Sequence, residues 1–320
     1  MIRGACALLI CAAVLSAGGL DQAPRFRSRT DLVSVDVAVT RNGRPMSDLG
    51  AADLLLTDNG VRQTIEIVDA RALPLDLTIV LDTSDSMWRA IDDLRRDAAS
   101  ILAMLRPSDR VRLMTFAGDV RETVPFQPPS SSLSLQHLTA AGSTSLFDAV
   151  AAAMLHEPDA SPADERRHLI VVLTDAQDTS SVLGLGPLDE ISRRTDAVLY
   201  AAVGGPFAPV APPVPSPSPR RRVGEQIYRR NWHPPLAAMP GDTGPLRRAV
   251  SNTGGIWDGM RSIGQAADGV RRALEWFRAA YVVRYRASGV ATPGWHELRL
   301  RVTRPGNYEV RARRGYYGAG

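Results

Sequence analysis

The sequence contains no lysine. All 38 of its basic residues are arginine, and the net charge over 320 residues is +4. A positive field can attract anionic partners, but complete avoidance of lysine is more typical of a coding bias than of a binding surface. We therefore do not expect nucleic acid to be a partner.

Cysteine is nearly absent. Cys6 and Cys11 are the two in the chain, and both lie in residues 1–19. This segment has a single arginine, the apolar run Ala5–Ala17 and then small residues, which is typical of a secretory signal peptide. Its removal would leave no thiol, which excludes disulfides and thiolate metal sites from the mature chain. Ile10 is bulkier than the residue that usually precedes a lipidated cysteine, which argues against lipid attachment at Cys11.

Long apolar runs are also missing after the first 19 residues. No later stretch reaches the roughly 20 apolar residues that a membrane-spanning helix needs. We therefore predict no transmembrane segment and an exported protein, periplasmic or extracellular.

Motifs of the common enzyme classes do not occur. There is no Gly-x-Ser-x-Gly elbow, no Gly-x-Gly-x-x-Gly after a strand, no phosphate-binding loop of the Walker type and no His-Glu-x-x-His. We predict that the protein is not an enzyme and assign no catalytic residue. The histidines are expected to be surface or capping residues: His137, His156, His168, His233 and His296.

The most informative stretch is Leu75–Ser86, with the sequence LDLTIVLDTSDS. Its apolar first half predicts a buried strand, which ends at Asp82 and is followed by Ser84 and Ser86. Ligands of open α/β sheets bind beyond the carboxyl ends of the strands, so these oxygens would face one point. Hard oxygen ligands suit a cation such as Mg²⁺.

Two later stretches have a similar context. Ala141–Val150 is a glycine-containing turn into an amphipathic helix, and Leu169–Asp175 is a second apolar strand that ends in an aspartate. Together with the first stretch, they resemble the metal-ion-dependent adhesion site of the von Willebrand factor type A domain. The resemblance covers about residues 73–281 and assigns five metal ligands: Asp82, Ser84, Ser86, Thr144 and Asp175.

The resemblance implies Mg²⁺ or Mn²⁺ as cofactor. In this family the hydroxyls contact the ion, the aspartates act partly through water, and a carboxylate of the partner completes the coordination. It therefore implies a protein partner with an exposed Asp or Glu. One departure is Ala176, where the family usually has glycine.

Other interpretations of the same residues are open. Asp82 could cap the following helix, with Ser84 or Ser86 bonded to free amides. An aspartate at a strand end also occurs in haloacid-dehalogenase phosphotransferases, but Ser84 stands where their general acid belongs. The nearby acids Asp85, Asp148 and Asp178 are expected to be solvated surface charges.

Alternating apolar residues predict strands in both flanks of this unit. Val33–Val39, Tyr281–Tyr285 and Trp295–Val302 each have the two-residue period of a half-buried strand, and Val61–Val68 is expected to form a hairpin with Leu54–Thr57. The economical interpretation is one β-sandwich built from both flanks; two separate small β units are the alternative. In Asp53–Gly60 and Arg311–Tyr317, the flanks also resemble exported bacterial proteins related to the von Willebrand factor type A domain.

The predicted fold is thus α/β, with a doubly wound, mostly parallel, Rossmann-like sheet and a flanking β-sandwich built from N- and C-terminal strands. The predicted organisation is a signal peptide (1–19), an N-terminal β segment (20–72), a von Willebrand factor type A domain (73–281) and a C-terminal β segment (282–320) that pairs with 20–72. Residues 204–244 form a proline- and arginine-rich insertion. This insertion is either solvated chain or a docking arm with Tyr228 and Trp232 as anchors.

The predicted function is an exported, cation-dependent, adhesion-type module that grips an acidic residue of a protein partner. The alternative is a structural envelope protein whose type A site binds no ligand and which makes its contacts through the sandwich.

Overall fold

A computed structural model describes residues 32–70, 72–129, 135–156, 165–204, 243–291 and 293–318. The strands of the described residues are β1 (Val33–Arg41), β2 (Arg44–Pro45), β3 (Leu54–Asp58), β4 (Val61–Arg62), β5 (Ile65–Val68), β6 (Leu75–Asp82), β7 (Arg110–Phe116), β8 (Val120–Gln127), β9 (Arg167–Thr174), β10 (Val198–Gly204), β11 (Ile256–Met260), β12 (Tyr281–Tyr285), β13 (Gly294–Val302), β14 (Glu309–Ala312) and β15 (Gly315–Gly318). The α-helices are α1 (Trp88–Ala103), α2 (Leu146–Leu155), α3 (Leu185–Arg194), α4 (Gly244–Asn252) and α5 (Ala266–Ala279).

A six-stranded sheet forms the centre of the protein, in the order β11-β10-β9-β6-β7-β8. Neighbouring strands are parallel except β8, which runs antiparallel to β7. The middle strands β6 and β9 are almost wholly buried, as their continuous apolar sequences predict for a sheet covered on both faces. Helices α1 and α5 pack on one face, and α2, α3 and α4 on the other.

A β-sandwich lies beside this sheet and contains strands from both ends of the chain. One sheet has the order β14-β1-β12-β5, with β2 attached to β1, and the other has the order β15-β13-β3-β4. The central unit lies in sequence between β5 and β12, which are hydrogen-bonded neighbours. The predicted fold class is thus confirmed, including the flanking sandwich; the domain boundaries themselves stay predictions.

The predicted hairpin of Leu54–Thr57 and Val61–Val68 is only partly formed. β4 pairs with β3, but β5, predicted as the continuation of the same strand, belongs to the other sheet of the sandwich. Gln63 lies at the crossing and is 5% exposed. Its side chain donates to the carbonyl of Ser288 and accepts from the amide of Ser288, so a buried polar residue fixes the change of sheet.

The sandwich contacts the central unit at the amino edge of the parallel sheet. Arg167, at the start of β9, forms an ion pair with Asp36 of β1 and donates to the carbonyl of Phe277. Arg313 forms an ion pair with Asp196, just before β10. The carboxyl edge of the sheet is therefore left for the loops that follow the strands.

His296 is buried in a polar cluster and His168 is half-buried in another, so the prediction that all five histidines are surface or capping residues was wrong for His296. His296 is 1% exposed and lies 2.8 Å from Asp58, across the two strands β13 and β3. His168 lies 2.9 Å from the hydroxyl of Thr78, with Phe126 edge-on to its ring.

His168 should make the protein sensitive to acid. Burial and the nearby Arg112 lower the pKa of His168 to about 3. Because this value lies below the ordinary 6.5, its contribution to stability is complete above pH 6.5 and is lost as the pH falls toward 3. We expect urea unfolding to show a loss of about 2–4 kcal/mol over that range, which His168→Gln should largely remove. Equal losses in both proteins would contradict this assignment.

The predicted signal peptide lies outside the described residues, as does the insertion with Tyr228 and Trp232. No helix of the described residues combines the length and apolar character required to cross a bilayer.

Candidate functional site

Three loops meet at the carboxyl edge of the central sheet. They follow β6, precede α2 and follow β9, and they enclose a cleft of about 250 Å³. Four of the five predicted site residues line it: Ser84, Ser86, Thr144 and Asp175. The fifth, Asp82, is fully buried and is hydrogen-bonded to Ser84.

The first loop turns sharply around the carboxylate of Asp82. One of its oxygens accepts hydrogen bonds from the amide of Ser84 at 2.9 Å and from the Ser84 hydroxyl at 2.6 Å. The other accepts from the hydroxyl of Thr174 at 2.7 Å. No side chain caps α1, so the helix-capping interpretation of Asp82 is wrong. Its carboxylate instead joins the first loop to the end of β9.

The third loop is joined to the first through Asp175. The hydroxyl of Ser86 donates to Asp175 Oδ2 at 2.7 Å, and the amide of Gln177 donates to Asp175 Oδ1 at 3.1 Å. A carboxylate and a hydroxyl that lie 89 positions apart in sequence are thus in direct contact across the cleft.

The second loop is fixed against the third by its backbone. The amide of Thr144 donates to the hydroxyl of Thr179 at 2.8 Å, and its carbonyl accepts from the amides of Thr179 and Ser180. These bonds satisfy the backbone of Thr144, whose side chain is among those lining the cleft.

Ala176 has the backbone conformation that favours glycine. Its φ is +62°, and its amide donates to the hydroxyl of Thr174 at 3.0 Å. The backbone at this position is therefore left-handed, as it would be with the glycine that is usual in von Willebrand factor type A domains. An alanine in this conformation destabilises the folded state by roughly 1–2 kcal/mol.

This strain can be measured with Ala176→Gly. We expect the free energy of unfolding to stay within about 0.5 kcal/mol of wild type, because relief of strain offsets the loss of a buried methyl and the greater chain entropy of glycine. Ala153 is a matched control because it is buried in α2 with helical backbone, and Ala153→Gly should cost about 2 kcal/mol. Equal costs at the two positions, measured by urea unfolding, would contradict the argument.

Three acids around the cleft are bonded to backbone amides. Asp148 and Asp178 are also half-buried, so the prediction of a solvated charge was wrong for these two, whereas Asp85 is exposed as predicted. Asp178 accepts from the amide of Leu146 at 2.9 Å, at the start of α2. Asp148, in the first turn of α2, accepts from the amides of Val182 and Leu183 at 2.9 and 2.8 Å. Carboxylates of α2 and of the third loop therefore each accept hydrogen bonds from backbone amides of the other segment.

Asp85 links the first and second loops in the same way, since it accepts from the amide of Gly142 at 3.2 Å. The sequence did not predict this bond, nor the contacts of Thr174 and Thr179. Thr174 could have been predicted as part of the site, because it is a hydroxyl residue at a strand end, directly before Asp175. Nothing in the sequence pattern indicated Thr179.

The buried carboxyl of Asp82 is difficult to ionise. Burial raises its pKa to about 6, although hydrogen bonds from Ser84 and Thr174 act in the opposite direction. A nearby positive charge would favour the ionised form. A cation bound at the first loop would therefore stabilise the ionised carboxylate of Asp82.

The donor set is one of hard oxygen atoms. No group of three or more His, Cys, Asp or Glu side chains suited to a metal occurs in the part of the chain that the structure describes. The five predicted ligands supply two carboxylates and three hydroxyls, a set that fits Mg²⁺ or Mn²⁺ and not a soft metal. The structure brings these residues together, while their ligation of an ion stays a prediction.

Comparison with known proteins agrees with this arrangement. Residues 77–177 match the family described as the von Willebrand factor type A domain. That match includes all five predicted ligands. No curated protein matches the sequence.

Three proteins of low sequence identity are among the solved structures that match this chain. BatB from Bacteroides thetaiotaomicron is 16% identical, with 63% of this chain and 98% of that chain covered and a TM-score of 0.43. An aerotolerance-related membrane protein from Bacteroides fragilis NCTC 9343 is 17% identical, with 63% and 98% covered and a TM-score of 0.41. A von Willebrand factor type A protein from Catenulispora acidiphila is 10% identical, with 89% and 73% covered and a TM-score of 0.45.

From the family match and the six-stranded sheet with its helices on both faces, we conclude that this chain contains a von Willebrand factor type A domain.

Proposed function

We propose that the protein binds protein ligands through a divalent cation, Mg²⁺ or Mn²⁺, at this cleft. The residues that would hold the ion are Asp82, Ser84, Ser86, Thr144 and Asp175. The observation that supports this most directly is the contact of Ser86 with Asp175, because it brings two of the three loops to one point.

The hydrogen bonds at the cleft suit a cation. Ser84 and Ser86 donate their hydroxyl protons to Asp82 and Asp175, respectively. A hydroxyl that donates its proton to a carboxylate still has lone pairs on its oxygen for another partner. The two carboxylates thus orient the hydroxyls as neutral ligands.

The balance of charge favours an acidic partner. When bound, the ion would supply Lewis acidity, because an aspartate that acts through water neutralises little of its charge. The three hydroxyls add no negative charge. A carboxylate from a partner protein is then the complementary ligand, and the protein would serve as an adhesion-type module and not as an enzyme.

We also propose that this binding takes place outside the cytoplasm. The support is the signal-peptide pattern of residues 1–19. The sandwich would serve as a structural support, since it contacts the amino edge of the central sheet and leaves the cleft at the opposite edge accessible.

The proposal is tested by immobilising the full chain and exposing it to an extracellular extract of the source organism in Mg²⁺ and in EDTA. We expect the captured protein to be released by EDTA, and Thr144→Ala to capture little in either buffer. Thr123→Ala is a control on the edge strand β8. Capture that is unaffected by EDTA and by Thr144→Ala would overturn the proposal and favour the alternative, in which the sandwich makes the contacts.

A further inference from the structure

We propose that the partner presents an acidic residue flanked by a large apolar side chain, and that this side chain packs on Trp88 and Val182. The inference rests on the proposed function, because the acidic residue occupies the cleft. It adds a second determinant of specificity, contributed by residues that hold no ion.

Exposed apolar side chains are concentrated near the cleft. The described residues contain five large exposed hydrophobic side chains: Val61, Trp88, Leu155, Val182 and Leu185. Trp88 follows β6, and Val182 and Leu185 follow β9, so three of the five stem from the carboxyl edge of the sheet. Val182 is 92% exposed and Trp88 is 53% exposed, which leaves most of both surfaces without a function in folding.

Val182 is exposed on a segment with a fixed backbone. Its amide and that of Leu183 donate to the carboxylate of Asp148, and the hydroxyl of Ser181 accepts from the amides of Phe147 and Asp148. An apolar side chain held in this way loses little entropy on binding, so it is suited to contact a partner.

Both side chains are within reach of a ligand in the cleft. Trp88 is two residues after Ser86, and Val182 is three residues after Thr179, which also lines the cleft. At most about 3.6 Å of chain separates successive residues, so the two lie within about 7 and 11 Å of cleft residues along the backbone. About two or three residues of an extended partner cover the same distance.

The charge next to Trp88 favours an acidic segment over an uncharged apolar one. The guanidinium of Arg89 lies 4.9 Å from the centre of the Trp88 ring, so a positive charge adjoins the proposed apolar contact. A purely apolar partner would make no favourable electrostatic interaction with Arg89 or the cation. A partner with a carboxylate next to an apolar side chain would interact both with these charges and with the apolar side chains.

A random-peptide phage library provides the test. The full chain is loaded with Mg²⁺, and bound phage are eluted with EDTA. We expect selected peptides to contain Asp or Glu with an aromatic or large aliphatic residue within three positions. Fluorescence anisotropy with one such peptide should show that Trp88→Ser and Val182→Ser each weaken binding roughly tenfold.

Two matched controls have exposed apolar residues far from the cleft. Leu155 is the last residue of α2, and Val61 lies in β4 of the sandwich. Leu155→Ser and Val61→Ser should leave the affinity unchanged.

The outcomes separate the two proposals. Acidic peptides without an apolar preference, or equal losses in the control variants, would overturn this inference and leave the proposed function standing. Apolar peptides that EDTA does not release would overturn it as well. If EDTA elutes no peptide at all, both proposals fail.

Discussion

Asp58→Ala should lower the free energy of unfolding by about 3–5 kcal/mol, the largest effect that we expect from a single substitution. Asp58 is fully buried between the sheets of the sandwich. Its Oδ1 lies 2.8 Å from His296, and its Oδ2 accepts from the hydroxyls of Tyr285 and Tyr316, each at 2.9 Å. Alanine would remove the acceptor shared by these three groups, two of which, His296 and Tyr285, are buried, and the loss of a buried hydrogen bond costs roughly 1–3 kcal/mol.

Urea unfolding of the two proteins measures this difference. Asp48→Ala is a suitable control, because Asp48 also pairs with a basic residue, Arg304, but its side chain is 64% exposed. It should change the free energy of unfolding by less than about 1 kcal/mol. A similarly small loss for Asp58→Ala would show that Asp58 does not organise the buried cluster.

Mg²⁺ should stabilise the wild-type protein by about 2.7 kcal/mol at a concentration 100 times its dissociation constant. The reason is that the unfolded chain does not bring the three loops together. Asp82→Ala should abolish the stabilisation, because it removes a carboxylate that is bonded to both Ser84 and Thr174. Thermal melting with Mg²⁺ and with EDTA gives the comparison.

A matched variant controls for loss of negative charge. Asp119 lies in the turn between β7 and β8, and its side chain is 63% exposed and paired with Arg121. Asp119→Ala should keep the full response to Mg²⁺. A wild-type protein whose melting temperature is the same in Mg²⁺ and EDTA would contradict the prediction.

The parts of the site that could be predicted are those that depend on short, local sequence motifs. β6 and β9 are continuous apolar runs that end at polar residues, and parallel strands bring their carboxyl ends to one edge. Asp82, Ser86 and Asp175 could therefore be placed together before their contacts were known.

The parts that could not be predicted depend on contacts between distant residues. Asp148 and Val182 are 34 positions apart, and Asp58 and His296 are 238 apart. A carboxylate bonded to backbone amides has the same sequence signature as a solvated one. Only the fold distinguishes them.

The crossing of β4 to β5 is a second case. The alternation of apolar residues continues past Gln63, so the pattern predicts one strand. The buried amide of Gln63 instead bonds to Ser288, in the loop after β12. The pattern records which side chains are apolar, and it does not record which sheet they join.

The central claim is that the three loops hold one cation, and direct titration with Mn²⁺ tests it most closely. Electron paramagnetic resonance of free Mn²⁺ should show one ion bound per wild-type chain. Ser86→Ala should weaken binding at least about tenfold, because it removes a proposed ligand that also contacts Asp175. Absence of binding by the wild-type chain, or equal affinity in wild type and Ser86→Ala, would contradict the account.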